Sequence, residues 1–345
     1  MSFSSVLVTG DRGYIGSVLV ERLAQMKFSV CGLDTGYFSQ NIVMPVFESY
    51  RQVTKDIRDI SADDIAGFDA IIHLAALSND PLGELAPELT EQINLQATIR
   101  LATLAKLAGV KRFIYSSSQS MYGVAETEQE LDEEAAKHPI TAYARTKWDA
   151  EQALFELADD QFTIVAFRPS TVFGMSPRLR TDIVFNNLLA SAFTRNVIEI
   201  KSDGSPWRPV IHVEDVCSAF IAGLLAPADL VQKQAFNVGI RNVNYRVRDI
   251  ADAVHTLMPH CALTYSGEHG SDSRTYRVCF NKINSVLADF YQPEWDLLRG
   301  GEAMLKAFRQ YGFPLEHFTG RTTNRLNQLK FLLQEQQLNA DLYWS

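Results

Sequence analysis

Short apolar runs alternate with longer amphipathic segments along the first two thirds of the chain. The apolar runs are rich in β-branched residues, and they lie at 5–9, 29–33, 70–74, 112–116, 163–167 and 234–238. Runs of this kind predict strands that are buried on both faces, as in a parallel sheet. Between them apolar residues recur at helical spacing, as at Val18, Leu19 and Leu23. The alternation predicts an α/β fold with a doubly wound parallel sheet of the Rossmann type.

A glycine-rich turn separates the first predicted strand from the first predicted helix. Its sequence, Gly10-Asp-Arg-Gly13-Tyr-Ile-Gly16, has the spacing G-x-x-G-x-x-G rather than G-x-G-x-x-G. Glycines permit a tight turn and bring a pyrophosphate close to the helix N-terminus, where free N–H groups favour anions. The strand before the turn and the helix after it predict a dinucleotide site. The alternative is a tight turn that binds no ligand.

An acidic residue at the end of the second predicted strand bears on the choice of cofactor. Asp34 lies about 20 residues beyond the glycines, where a carboxylate can bind the adenosine ribose and repel a 2′-phosphate. This favours NAD over NADP, although Arg12 in the turn could meet a phosphate. Asp56 and Ile57 follow another predicted strand and could border the adenine. A surface position is the alternative for Asp56.

A tyrosine and a lysine four positions apart are the candidate catalytic pair. Tyr143 and Lys147 would lie on one face of a predicted helix, one turn apart. A cation near a phenol lowers the pKa of the phenol from about 10, so that it can take a proton from a sugar hydroxyl. Ser118 follows the strand at 112–116 and could hydrogen-bond the same substrate oxygen. A purely structural helix pair and a polar strand-to-loop junction are the alternatives.

Small and polar residues elsewhere in the first half are further candidates. Leu74, Ala75 and Ala76 follow a strand and would let a loop pass close to a cofactor. We expect His73, inside that strand, to be buried and hydrogen-bonded rather than catalytic. Asn94 opens the next helix, as a cap or as a polar group facing the site.

Composition narrows the class of protein. The 345 residues carry a formal net charge of −9, which argues against nucleic-acid binding. The start of the chain has no basic or cleavable apolar segment, and no 18-residue apolar run occurs, so we expect a cytoplasmic protein that does not enter membranes. The four cysteines form no C-x-x-C pair, and we expect no metal site.

The joint order of these motifs resembles the extended short-chain dehydrogenase/reductase family, in its nucleotide-sugar epimerase/dehydratase branch. The resemblance covers roughly residues 5–310 and rests on Thr9–Gly16, Asp34, Asp56-Ile57, His73–Ala76, Asn94, Ser116–Ser118, Tyr122-Gly123, Tyr143 with Lys147, Arg168-Pro169, Arg208–Asp215 and Phe236–Gly239.

The resemblance implies roles for individual residues. Tyr143 would be the general acid/base, Lys147 would lower its pKa and bind the nicotinamide ribose, and Ser118 would orient the sugar. Cofactor contacts would come from Gly10, Arg12, Gly13, Tyr14, Ile15, Gly16, Asp34, Asp56, Ile57, Leu74, Ala75, Ala76 and Asn94, together with Tyr143 and Lys147. Contacts to the nucleotide sugar would come from Ser118, Gln119, Ser120, Asn187, Arg208 and Arg274.

The sequence departs from one subgroup of the family. Dehydratases of the 4,6 type usually carry an acidic residue just after the catalytic Ser or Thr, whereas this chain has Gln119 and Ser120. Neither side chain is an acid or base near pH 7. A 4,6-dehydratase is therefore disfavoured, and a C4 epimerase and a 4-ketoreductase remain open. The alternative from another class is a non-catalytic regulator that binds a dinucleotide.

The domain organisation follows from the order of the motifs. We expect residues 1–168 to form the cofactor lobe, completed by about 211–239. Residues 169–210 and 240–315 would form a smaller, interleaved substrate lobe, and residues 316–345 a helical tail beyond the recognised motifs. Alanine-rich stripes on the helices at 94–108 and 143–158 predict a helix-on-helix contact in a homodimer.

Overall fold

Seven parallel strands form the central sheet of the structure, a computed structural model that describes residues 3–78, 86–123, 129–267 and 275–345. The strands are β1 (Ser5–Thr9), β2 (Ser29–Asp34), β3 (Arg51–Thr54), β4 (Ala70–His73), β5 (Arg112–Ser116), β6 (Thr163–Pro169) and β11 (Gln234–Val238). Their order across the sheet is β11-β6-β5-β4-β1-β2-β3. The chain thus winds outward in both directions from β1, and the predicted doubly wound α/β fold is confirmed.

Helices cover both faces of this sheet and continue into the rest of the chain. They are α1 (Gly16–Gln25), α2 (Ala62–Ile65), α3 (Pro87–Glu91), α4 (Ala97–Leu107), α5 (Ala142–Leu157), α6 (Val184–Arg195), α7 (Val213–Leu225), α8 (Ala228–Val231), α9 (Val247–Leu257), α10 (Asn281–Val286), α11 (Leu297–Tyr311), α12 (Leu315–Thr319) and α13 (Arg325–Gln334). A π-helical turn at Gln92–Gln96 joins α3 to α4. Within the described part of the chain, no helix combines the length and the apolar character needed to cross a bilayer.

The alternation of side chains along β1 shows how the two faces are filled. Val6 and Val8 point into the core beneath α1 and α7, whereas Leu7 points into the core beneath α4 and α5. All three residues are at most 1% exposed. Burial on both faces explains why these strands are continuous apolar runs, and it fixes the register of the sheet.

Short strand pairs build a smaller region beyond the sheet. They are β7 (Thr171–Phe173) with β10 (Val210–His212), β8 (Val197–Ile200) with β13 (Ala262–Tyr265), and β9 (Trp207–Arg208) with β12 (Tyr245–Arg246). The helices α6, α9 and α11 pack with them. The chain leaves the sheet after β6 and returns to it through α7 and β11, so the two regions interleave along the sequence.

The C-terminal tail, residues 316–345, runs back to the central sheet. Leu329 and Leu332 of α13 and the later Leu338 and Leu342 are each at most 3% exposed, in the same core as Leu7. The tail therefore packs against the large lobe, on the side of β2 and β3.

Candidate active site

A cleft of about 980 Å³ opens beyond the carboxyl ends of the strands. It lies where the strand order reverses at β1, the place at which open α/β sheets bind ligands. The predicted site residues that line it are Gly10, Gly13, Tyr14, Ile15, Gly16, Asp34, Asp56, Ile57, Leu74, Ala75, Ala76, Ser118, Gln119, Ser120, Tyr143, Lys147, Asn187 and Arg208. Arg12 and Asn94 lie outside this lining, and Arg274 falls outside the described residues.

The glycine turn is shaped by two positions that exclude a side chain. Gly10 has a φ of +75°, and a Cβ there would lie 2.8 Å from the backbone nitrogen of Ala75. A Cβ on Gly16 would lie 2.1 Å from the carbonyl oxygen of Gly10. Helix α1 starts at Gly16, which lines the cleft, without a hydrogen bond from a capping side chain; the N–H groups of Ser17 and Leu19 donate to the carbonyl oxygens of Gly13 and Ile15. No side chain thus blocks a ligand from the start of the helix. The helix dipole at this end suits a pyrophosphate.

Tyr14 ties the turn to the smaller lobe. Its hydroxyl donates to the carbonyl oxygen of Gly174 at 2.7 Å and accepts a hydrogen bond from Asn186 at 3.2 Å. Burial raises the pKa of Tyr14 above its ordinary value, so the phenol stays protonated as the donor. The side chain of Tyr14 thus holds the two lobes together, and its contribution to a cofactor would come from its backbone.

Asp11 is a buried acid of the turn that the sequence did not single out. Its Oδ2 accepts a hydrogen bond from the hydroxyl of Tyr50 at 2.8 Å. Burial raises the pKa of Asp11 to about 6, and the charge of Asp34 adds to the shift. A Cβ on Gly32 would lie 2.1 Å from the same oxygen, so a glycine in β2 makes room for this carboxyl group.

Two carboxylates stand at the predicted adenosine end. Oδ1 of Asp34 accepts a hydrogen bond from the backbone of Gly36 at 2.7 Å, and burial raises the pKa of Asp34. Arg12 donates to Oγ1 of Thr54 at 3.0 Å, which places its charge beside Asp34 although it does not line the cleft. Both carboxylate oxygens of Asp56 accept hydrogen bonds from the guanidinium of Arg58, at 2.9 and 2.7 Å.

The candidate catalytic residues come from β5 and α5. The Nζ of Lys147 donates to the carbonyl oxygen of Ser116 at 2.7 Å and lies 6.0 Å from the centre of the Tyr143 ring. Burial lowers the pKa of Lys147 to about 7. Ser118 caps a short 3-10 turn, where its Oγ accepts a hydrogen bond from the backbone of Ser120 at 3.2 Å. Ser118, Tyr143 and Lys147 therefore share one cleft.

Asn94 and His73 have structural positions behind this cleft. The amide of Asn94 accepts from the backbone nitrogen of Leu77 at 2.8 Å and donates to its carbonyl oxygen at 3.1 Å. Asn94 thus positions the loop after β4 and does not line the cleft, and its predicted contact with the cofactor stays a prediction. His73 lies between hydroxyls of Thr9 and Thr98, at 2.6 and 2.8 Å. Burial lowers its pKa to about 3, with a further contribution from Lys147, and the expected buried, hydrogen-bonded histidine is confirmed.

Gln119 and Ser120 differ in how they face the site. Gln119 is 1% exposed, and its amide donates to the carbonyl oxygen of Arg168 at 3.0 Å and accepts from Ser170 at 3.2 Å. The Oγ of Ser120 is buried and has no hydrogen-bond partner among the described residues. Of the two, Ser120 is thus the better placed to bind a substrate hydroxyl.

A buried ion pair that the sequence did not reveal supports the catalytic helix. Arg168 and Glu151 are 3% and 0% exposed, and their closest atoms are 2.5 Å apart. Glu151 also accepts a hydrogen bond from Oγ of Ser117 at 2.6 Å. Because Glu151 lies one turn beyond Lys147 on α5, the pair joins the catalytic helix to the serine segment and to the end of β6.

Three further charged side chains, those of Arg180, Asp182 and Arg325, line the cleft. Arg180 pairs with Asp182 at 2.8 Å and donates to Oγ of Ser78 at 3.3 Å. Arg325 reaches the cleft from α13 in the tail. Arg180 belongs to an arginine-rich segment that the sequence shows, whereas no local signal connects Arg325 with a site almost 300 residues earlier.

Within the described part of the chain, no group of three or more His, Cys, Asp or Glu side chains is arranged to hold a metal ion. The cleft instead fits a dinucleotide: the glycines leave no space for side chains, the start of α1 has no capping side chain, and Asp34 stands at the end of β2.

The fold and the cleft together define an extended short-chain dehydrogenase/reductase. The chain belongs to the NAD dependent epimerase/dehydratase family, whose model matches residues 6–239. It is 31% identical over 266 residues to the UDP-glucose 4-epimerase of Mycolicibacterium smegmatis, across 72% of this chain and 80% of the relative. It is 27% identical over 336 residues to the UDP-glucose 4-epimerase of Bacillus subtilis, across 87% and 94% of the two chains.

A solved structure extends the similarity to the smaller lobe. MoeE5 in complex with UDP-glucose and NAD matches with a TM-score of 0.76 and 26% identity, covering 89% of this chain and 99% of that one. The protein is thus an enzyme of the nucleotide-sugar epimerase branch of this NAD-dependent family.

Proposed function

We propose that the protein is an NAD-dependent nucleotide-sugar 4-epimerase that acts on a UDP-sugar. The observation that carries the proposal is the single cleft that holds Ser118, Tyr143 and Lys147 next to the glycine turn. Relatives that are UDP-glucose 4-epimerases cover most of both chains and support the choice of reaction. The bound UDP-glucose in MoeE5 supports the choice of substrate class.

The cofactor would lie between the glycine turn and Asp34. The backbone of Gly13, Tyr14, Ile15 and Gly16 would hold the pyrophosphate, and Asp34 would hold the adenosine ribose. Bound NAD would supply a hydride acceptor at sugar C4 and would return the hydride to the opposite face of C4 after the sugar has turned over in the cleft. The carboxylate of Asp34 favours NAD over NADP, and the complex of MoeE5 with NAD supports the same choice.

Tyr143 would exchange the proton of the C4 hydroxyl. Lys147 places a cation one turn away, and a phenolate on Tyr143 would in turn stabilise that cation against its burial. Ser118 would hydrogen-bond the C4 oxygen and hold it near the phenol. The proton that Tyr143 takes in the first half of the reaction goes back to the same oxygen in the second half, so no other acid or base is needed.

Two of the carboxylates that line the cleft, Asp56 and Asp182, do not suit a dehydration. Gln119 and Ser120 are not acids, and Asp56 is bound to Arg58. Burial alone would raise the pKa of Asp182, but the charge and hydrogen bond of Arg180 outweigh burial and lower it. Asp182 is therefore ionised near neutral pH and a poor proton donor. This argues against a 4,6-dehydratase, which must protonate its leaving group.

The sugar nucleotide would bind against the smaller lobe. Arg208 lines the cleft from β9, with its Nη1 donating to the carbonyl oxygen of Trp207 at 2.9 Å. Asn187 lines it from α6, with its amide donating to the carbonyl oxygen of Thr181 at 2.8 Å. A guanidinium is suited to a diphosphate, and Arg208 is our candidate for that contact. Arg274 stays a prediction for the same group.

The reaction is tested by incubating the purified protein with NAD and UDP-glucose, UDP-glucuronic acid or UDP-N-acetylglucosamine in D₂O. Mass spectrometry and NMR should detect an isomer of unchanged mass with no deuterium at C4, and Tyr143→Phe should slow its formation by about 100-fold or more. A product that has lost water would identify a dehydratase. Turnover that starts only when a 4-keto sugar and reduced cofactor are supplied would identify a ketoreductase. Binding of the cofactor without conversion of any sugar nucleotide would identify a non-catalytic regulator.

The homodimer remains part of the proposal. Helices α4 and α5 pack side by side on one face of the sheet. Ala97 and Ala150 of the predicted stripes are at most 3% exposed in the core of the same chain, so a dimer contact would use the outward faces of these helices, where Leu107 at the end of α4 is 79% exposed. A second copy is expected to cover this face. Light scattering at micromolar concentration should give twice the chain mass, and a monomer mass would refute the prediction.

A further inference from the structure

The C-terminal tail forms one wall of the adenosine end of the cleft. The indole Nε1 of Trp344 donates to the carbonyl oxygen of Thr35 at 2.7 Å, immediately after Asp34. The amide of Gln328 donates to the carbonyl oxygen of Tyr37 at 3.2 Å. The tail therefore determines the path of the segment that follows β2.

The tail also holds the residue that binds Asp56. The guanidinium of Arg58 lies 3.8 Å from the centre of the Tyr343 ring and donates to the carbonyl oxygen of Asp341 at 2.8 Å. Through Arg58, the tail fixes Asp56 at the predicted adenine site. Both sides of the adenosine end thus depend on residues beyond position 320.

Arg325 is the tail residue that reaches the cleft itself. It is 2% exposed, its Nη2 donates to the carbonyl oxygen of Arg178 at 2.7 Å, and its guanidinium lies 4.5 Å from the ring centre of Phe38. Its Nη1 has no hydrogen-bond partner among the described residues. A buried donor without a partner is costly, and a cationic one more so, which points to a ligand as the missing partner.

The charges around Arg325 indicate that this ligand is an anion. Its charged neighbours are Arg178, Arg180, Asp182 and Asp34. Three guanidinium groups thus face two carboxylates, and Asp182 is already paired with Arg180. Burial, followed by repulsion from Arg180, lowers the pKa of Arg325 to about 9, so a negative charge in the cleft would relieve an unfavourable state.

We propose that the tail is part of the cofactor site and that Arg325 binds a phosphate group of the dinucleotide. This inference rests on the proposed NAD site and not on the proposed reaction. The tail lies outside residues 6–239, the part of the chain that matches the family model. The phosphate is either the pyrophosphate or a 2′-phosphate, two groups of the same chemistry.

Isothermal titration of the full-length protein, freed of nucleotide, tests the proposal without any sugar substrate. The ligands are NAD, NADP, ADP-ribose and adenosine. A hydrogen bond to a charged group contributes about 1.5–3 kcal/mol, so Arg325→Met should weaken NAD and ADP-ribose binding by about 10- to 100-fold. Adenosine, which carries no phosphate, should change by less than about threefold. A loss confined to NADP would identify the 2′-phosphate as the partner.

Arg321 in the same tail offers a matched control. Its Nη1 donates to Oε1 of Gln328 at 2.8 Å, and it lies over the ring of Phe331 outside the cleft lining. Arg321→Met should leave all four affinities unchanged. Equal weakening of adenosine and NAD by Arg325→Met would mean that Arg325 only supports the fold, and unchanged affinities would exclude a phosphate contact.

A conservative variant keeps the test decisive if Arg325→Met does not fold. Arg325→Lys retains the charge but not the planar pair of donors, so it should lose less affinity for NAD than the methionine variant and none for adenosine. Equal weakening of adenosine and NAD binding in a folded Arg325→Lys protein would overturn the proposal, because adenosine carries no phosphate. A wild-type protein that binds NAD but converts no sugar nucleotide would refute the proposed function and leave the proposal for Arg325 untouched.

Discussion

Replacing Glu151 with glutamine would remove the negative charge of the buried ion pair beneath α5, the helix that carries Tyr143 and Lys147. The carboxylate of Glu151 is fully buried and accepts hydrogen bonds from both Arg168 and Ser117. Glutamine has nearly the same shape, so the change removes the charge and one acceptor while leaving the packing in place. Arg168 would then keep one neutral amide oxygen at position 151, the hydroxyl of Tyr122 and the carbonyl oxygen of Glu133 as partners, and none of them carries a negative charge.

The size of the effect follows from the burial of both partners. Removing one member of a buried pair leaves an uncompensated charge and costs about 3–5 kcal/mol. With an unfolding entropy of about 2.1 cal/mol/K per residue, the 345-residue chain has a total unfolding entropy of about 0.7 kcal/mol/K. A loss of about 4 kcal/mol in the free energy of unfolding therefore lowers Tm by about 6 °C. Because the pair also orients the segment that holds Lys147, kcat should fall by about 10- to 100-fold.

Calorimetry and steady-state kinetics on Glu151→Gln measure both consequences. Glu294→Gln is the control. Glu294 forms the same kind of ion pair, with Arg299, but the two side chains are 67% and 50% exposed. An exposed pair contributes little, so the control should keep its Tm within about 1 °C. A fall in Tm of less than about 1 °C in Glu151→Gln would show that the ion pair does not stabilise the fold. An unchanged kcat would show that the ion pair does not contribute to catalysis.

Three further outcomes are expected. Tyr143→Phe should lower kcat by about 100-fold or more with little change in NAD affinity, measured by initial rates and calorimetry; near-wild-type turnover would remove Tyr143 from the acid/base role. Gly10→Ala should abolish NAD binding in a titration, because a Cβ there would lie 2.8 Å from the backbone of Ala75 at a φ of +75°; normal affinity would contradict the predicted turn. Burial lowers the pKa of Lys147 from about 10.5 to about 7, so between these values the unfolded chain binds the extra proton and stability rises with pH. The Tm of the cofactor-free wild type should therefore fall relative to Lys147→Met as the pH is lowered from about 10 to about 7, and parallel Tm curves would argue against the shift.

The large lobe and much of its cleft could be predicted from local sequence. Strands buried on both faces leave continuous apolar runs, as in β4, and a turn that excludes side chains leaves glycines, as at Gly10 and Gly16. Tyr143 and Lys147 share a face because four residues make about one helical turn. Each of these signals lies within about ten residues of sequence, where a structural requirement acts directly on residue type.

The rest depends on contacts between distant segments. Asn94 looked like a site residue from its motif, but its amide is used by the backbone of Leu77. Arg325 lies far from any motif, and only the packing of α13 brings it to the cleft. Such pairings leave no periodic or spacing signal, because they are set by how the finished lobes fit together.

The position of the tail also bears on the order in which the protein is made. The glycine turn and Asp34 are synthesised well before Arg325 and Trp344, which follow about 300 residues later. A nascent chain tends to fold from its N-terminus, so the central sheet can form before the wall that closes its adenosine end exists. Firm retention of the nucleotide would then begin only after the residues up to Trp344 have been made, and a chain without residues 321–345 would carry Ser118, Tyr143 and Lys147 and still hold its cofactor loosely.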